Sequence, residues 1–119
     1  MNLEELREYC LAKAGVTEGL PFGEDTLVFK VGEKLFLLTS IGLGNQFNVK
    51  CDPELAVELR EQHPEVTPGY HMNKKLWNTV KMDGNLTDKQ LSAMIDHSYE
   101  QVFAGLSRKV QEAIKGTGE

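Results

Sequence analysis

The chain has 119 residues, 40% hydrophobic and 26% charged, with a formal net charge of −5. That length suits a single domain over residues 1–119 with a sizeable core, and no run of about 18 apolar residues could span a bilayer. The negative balance argues against non-specific nucleic-acid affinity of the molecule as a whole, and the acidic, amphipathic start Met1–Glu8 is unlike a signal peptide, so a cytoplasmic location is expected.

A first helix is predicted from Asn2 as N-cap, with Glu5 completing a variant of the capping box and Gly15 ending it. Leu3, Leu6, Cys10 and Ala14 form its apolar stripe. Residues 18–25 read as an irregular approach to the first strand. Thr26–Val31 alternates, with Leu27, Phe29 and Val31 on one side and Val28 and Lys30 on the other. Gly32-Glu33 is a two-residue hairpin turn, with Gly32 expected at the first central position of a type II′ turn. Lys34–Ser40 is the return strand. After a turn at 42–45, Gln46–Cys51 is a third strand with Phe47, Val49 and Cys51 inward and Gln46, Asn48 and Lys50 outward.

Asp52-Pro53 is a helix start, an N-cap followed by proline at the first helical position. This helix runs to about Gln62 along Leu55, Ala56 and Leu59, and Pro64 closes it. Val66–His71 and Leu76–Met82 are the last predicted strands, joined by a loop at Met72–Lys75. Thr87 with Gln90 caps a long final helix through Leu91, Ile95, Tyr99 and Leu106, which either continues or kinks at Gly105 towards Ile114. The order α-β-β-β-α-β-β-α, with short links between strands, predicts a two-layer α+β fold. Its antiparallel sheet has about five strands, and helices cover one face.

Cys10 and Cys51 lie on apolar phases without a Cys-x-x-Cys or ligand-spaced histidine, so both are expected as buried, reduced thiols. Charge is uneven along the chain. Residues 26–51 hold three lysines against one glutamate, and residues 66–82 hold three lysines and no acid. If these strands share a sheet, its open face is cationic while the helices carry the acids.

The stretch Thr67–Asp83 interleaves lysine, amide and aromatic side chains and includes the only tryptophan. It is the candidate anion-binding or nucleic-acid-binding surface, with Lys50, Tyr70, His71, Asn73, Lys74, Lys75, Trp77, Asn78 and Lys81 as its residues. Each has a plainer reading. The lysines could be a solvated surface that protects sheet edges, and Asn73 and Asn78 could satisfy turn backbone. Trp77 either stacks on a base from the open face or packs in the core. His71 lacks a recognisable orienting partner for general-base work, and Asp96-His97-Ser98 diverge as consecutive helix residues, so no catalytic residues are assigned.

Several strings resemble the MmcQ/YjbR-like family: Glu18-Gly-Leu-Pro-Phe-Gly23, Phe29-Lys-Val-Gly-Glu-Lys34, Val49-Lys-Cys-Asp-Pro-Glu54 and Asp96-His-Ser-Tyr99. Pro68-Gly-Tyr-His-Met-Asn-Lys-Lys-Leu-Trp-Asn-Thr-Val80 is the most specific, with Leu76 where members often carry histidine. The resemblance implies a secretion-chaperone-like α+β architecture and a DNA-binding role through a "double wing" surface. The expectation is a small DNA- or RNA-binding protein without cofactor, metal or membrane partner. A protein-interaction or homodimerising module is the alternative, and an enzyme comes third.

Overall fold

The computed structural model describes residues 1–69 and 72–117; Tyr70 and His71, both expected at the interface, lie outside the described residues. Helix α1 spans Leu3–Leu11 and is held by the expected capping box. Asn2 Oδ1 accepts from the Glu5 amide at 2.8 Å, and Glu5 Oε1 accepts from the Asn2 amide at 3.0 Å. The strands are β1 Val16–Gly19, β2 Thr26–Val31, β3 Lys34–Ser40, β4 Gln46–Lys50, β5 Val66–Pro68 and β6 Trp77–Lys81. Helix α2 is Pro53–Gln62, α3 is Asp88–Ala104 and α4 is Arg108–Thr117.

All six strands pair antiparallel in one sheet of order β1-β2-β3-β4-β6-β5. The sixth strand is β1, unexpected because Val16-Thr17-Glu18-Gly19 is short and weakly apolar. As an edge strand it needs only one paired side, along the register Val16↔Val31 to Gly19↔Val28. The chain leaves β4 through α2, lays down β5 at the far edge, and returns as β6 between β5 and β4.

Two corrections concern the β2–β3 hairpin. Gly32 and Glu33 both have positive φ, +55° and +66°, which defines a type I′ turn and not type II′. Glycine suits the positive φ at position 32, and a Cβ there would lie 2.6 Å from Leu106 Cδ1 at the approach to α4, so that side chain would have to shift. The register also slips between Phe29↔Leu37 and Lys30↔Leu35, so Phe36 is an extra, bulged residue. The bulge lets Phe36 and Leu37, neighbours in sequence, both be fully buried, as simple alternation would not.

The apolar phase of the strands meets the helices. Leu6 and Cys10 of α1, Phe29, Leu37, Phe47, Val49 and Val80 of the sheet, and Leu91, Ile95 and Val102 of α3 share one core. The final helical region breaks at Gly105, and Ser107 Oγ accepts from the Val110 amide at the start of α4. Both cysteines are free and buried. Desolvation pushes the Cys10 thiol up to about 12 and the Cys51 thiol up to about 11, so each stays protonated at neutral pH. Among the described residues no helix is long and apolar enough to cross a membrane.

Polar clips lock the layers. Ser98 Oγ, fully buried on α3, accepts from the Lys50 amide at 2.9 Å and donates to the Phe36 carbonyl at 2.5 Å, where β3 and β4 part. Asp96 binds Lys13 and Tyr9 of the α1 region, and Lys13 sits over the rings of Tyr9 and Tyr99. The Asp96–Tyr99 string is therefore structural. It ties α3 to α1 and to the sheet.

Candidate nucleic-acid interface

The face of the sheet turned away from this core follows from the register. Its rows are Gln46↔Lys81, Asn48↔Thr79 and Lys50↔Trp77 across β4 and β6, with Val28↔Leu38 and Lys30↔Leu35 across β2 and β3. Residues directly opposite have Cβ atoms about 5 Å apart, so Lys50 and Trp77 are neighbours and Asn48 Oδ1 accepts from Thr79 Oγ1. Lys30 and Lys50 are half-buried and Lys81 is exposed; no aspartate or glutamate of β2, β3, β4 or β6 occupies this face. Glu18 of β1 takes the opposite phase and binds Arg7 of α1 at 2.6 Å, a pairing that holds its carboxyl below the usual range.

The turn before β6 continues this surface. Asn73 Oδ1 accepts from the Lys75 amide at 3.0 Å, and its carbonyl accepts from the Leu76 and Trp77 amides at 3.1 and 2.9 Å. Asn73 is therefore spent on shaping the turn, which leaves Lys74 and Lys75 exposed at its tip. Lys81 lies four residues beyond Trp77, roughly 13 Å along the strand, so the cations form a track and not a point cluster.

Trp77 meets neither simple expectation. It keeps the phase of the open face yet is 9% exposed, so it offers no bare ring for stacking. Gly69 approaches it closely: its amide donates to the Trp77 carbonyl at 2.8 Å, and a Cβ on Gly69 would lie 2.7 Å from Trp77 Cβ. Asn78 is a correction. Alternation puts it on the helix-covered face, 1% exposed, with Oδ1 accepting from Arg60 Nε at 2.7 Å. The other interface residues cannot share a ligand with it across the sheet.

Two contributors were missed by sequence reading. Where β3 and β4 separate, Lys34, Lys50 and Trp77 line a cleft of about 270 Å³ together with Gln101 of α3. Lys34 and Gln101 come from elements far apart in the chain, and no local pattern connects them to Trp77. Among the described residues, no group of three histidine, cysteine, aspartate or glutamate side chains is placed to hold a metal ion.

The sequence profile of the family described as YjbR matches residues 11–101. The chain belongs to the YjbR family. The uncharacterized protein YjbR of Escherichia coli K12 is 37% identical over 102 residues, 85% of this chain and 86% of that protein. The uncharacterized protein YbdF of Escherichia coli O157:H7 is 36% identical over 96 residues, covering 80% and 79%. Among solved structures, a Deinococcus radiodurans protein with a DUF419 domain superposes with TM-score 0.88 at 35% identity, over 95% of this chain and 87% of that one. A Pseudomonas syringae protein gives TM-score 0.74 at 28% identity, over 85% and 98%. The YjbR match includes the strands and turn that form the lysine-bearing face.

Proposed function

We propose that this YjbR-family chain binds nucleic acid, DNA foremost, through the open sheet face and the 72–76 turn. The observation that carries the reading is a face with Lys30, Lys50 and Lys81 and no carboxylate on its main strands, in a chain whose net charge is −5. Acids are concentrated on other elements, such as Glu4, Glu5 and Glu8 on α1 and Glu54, Glu58 and Glu61 on α2. Each lysine seated on a phosphate releases a counterion, and the short polar groups of Asn48 and Thr79 let a backbone approach. The Trp77 amide donates to the Asn73 carbonyl and so closes the turn that carries Lys74 and Lys75.

The test is fluorescence anisotropy of labelled duplex and single-stranded oligonucleotides at two salt concentrations. Lys74→Glu with Lys75→Glu, and separately Lys50→Glu with Lys81→Glu, should weaken binding. The salt slope should flatten by about one for each phosphate that is no longer neutralised. Unchanged affinity and slope in folded variants would remove the reading.

A protein partner is the second reading, favoured by a different observation. Leu20, Phe22, Ile41 and Leu43 are exposed, Phe22 by 67%, on two loops at one end of the sheet. Asp25 joins those loops, accepting from the Ile41 amide through its carbonyl and from the Gly42 amide through its carboxylate, both at 2.7 Å. Association that resists salt and is lost in Phe22→Ser would support this second reading over the first.

A further inference from the structure

On the helix-covered side of the sheet, α2 and α3 stand apart over β4 and β6 and leave a cavity of about 250 Å³. Leu55, Leu59, Val80 and Met94 supply apolar walls, and Ala93 of α3 stands exposed at the mouth. A cavity of about 150 Å³ already accommodates a benzene ring, so one ring with a short arm fits this one.

Asn78 lines the same space, and its Nδ2 is buried without a hydrogen-bond partner among the described residues. The orientation of this amide is fixed by its neighbour: Oδ1 accepts from Arg60 Nε at 2.7 Å, so the NH₂ group is the end left unpaired. Buried donors are nearly always satisfied in native proteins, and an orphan costs more than an absent one. An acceptor brought in from outside would resolve it.

The surrounding charge narrows the class of that acceptor. Arg60 donates from Nε to Asn78 Oδ1 and from Nη2 to the Trp77 and Lys74 carbonyls, all neutral oxygens, and no carboxylate pairs with it among the described ion pairs. No aspartate or glutamate lines the cavity. We propose that this cavity binds a small monocarboxylate with a compact apolar body. One carboxylate oxygen accepts from Asn78 Nδ2 near the Arg60 charge, and the apolar part packs between Leu55, Leu59 and Met94. The site does not rest on the nucleic-acid reading, because the donor it offers, Asn78 Nδ2, faces the helix-covered side, although Lys50 lines the cavity as well.

The experiment uses the full chain and phenylacetate as probe, with propylbenzene as the control lacking an acceptor, followed by amide and methyl NMR shifts. Phenylacetate should move the Asn78 side-chain amide and the Val80 and Met94 methyls, and bind about tenfold or more tightly than propylbenzene. Asn78→Asp keeps the oxygen that Arg60 needs and replaces the donor with a second acceptor, so phenylacetate affinity should fall by at least the same factor. Ala93→Phe blocks the mouth from an exposed position without disturbing the core, and should abolish binding of both probes. The proposal is overturned if phenylacetate moves none of these signals, as when a water alone serves Asn78. Equal binding of the two probes, binding that survives Ala93→Phe, or indifference to Asn78→Asp in a folded protein would overturn it as well.

Discussion

Trp77 and Asn78 are consecutive residues of one strand, and both are buried, yet the two faces they serve are built on different rules. The Asn78 face is covered by helices, and its polar groups are mostly answered within the fold: Ser98 by two backbone partners, Asp96 by Lys13 and Tyr9. Asn78 Nδ2 breaks that pattern. The Trp77 face carries the lysines, with Lys81 exposed and Lys30 and Lys50 half-buried, and no carboxylate on its main strands. The contrast separates polar groups already answered within the fold from those left for a ligand: the lysines on one face, and Asn78 at its cavity on the other. A change at a polar group already answered within the core should act on stability, and one on the lysine track or in the cavity between α2 and α3 on binding.

The largest effect is expected at the bulge. Phe36 is fully buried and meets Tyr99 edge-on, with ring centroids 5.5 Å apart, so Phe36→Ala should cost about 3–5 kcal/mol in denaturant unfolding. A cost below about 1 kcal/mol would show that the bulge does not place this ring in the core. Ser98→Ala should come next, at about 1–3 kcal/mol, because it strands the Lys50 amide and the Phe36 carbonyl where β3 and β4 diverge. Hydrogen exchange of the Lys50 amide should quicken in that variant.

A smaller, pH-dependent effect is expected at Glu65. Backbone N–H donors, Asn85 first, hold its carboxyl below the ordinary value of 4.5 in the folded state. A carboxyl lowered by folding stabilises above its unfolded value, and that contribution is lost as pH falls through the folded one. Unfolding midpoints measured from neutral pH downwards should therefore decline less steeply below about pH 4.5 in Glu65→Gln than in the parent chain. A parallel pair of curves would deny the linkage. The smallest change in stability belongs to the open face, where Lys81→Glu should stay within about 0.5 kcal/mol of the parent while it alters binding.

Local physics made much of this fold legible. The boxes at Asn2/Glu5 and Thr87/Gln90 and the cap at Asp52-Pro53 formed as read, because each needs only residues within one helical turn. Period-two alternation likewise placed Phe47, Val49 and Val80 inward and Lys50 and Lys81 outward. What escaped was non-local. β1 exists because β2 offers it an edge, and the I′ turn arises where Gly32 and Glu33 both take positive φ, beneath the approach to α4.

The interface divides along the same line. Its lysines and the turn that lifts Lys74 and Lys75 follow from composition and strand phase, which one chain segment specifies by itself. Three features depended on the tertiary arrangement: the cover over Trp77, the meeting of Lys34 and Gln101 beside it, and the burial of Asn78 under Arg60. Sequence periodicity states which side of a strand a residue occupies. What lies against that side is set by elements tens of residues away, whose packing is decided only when the whole core closes.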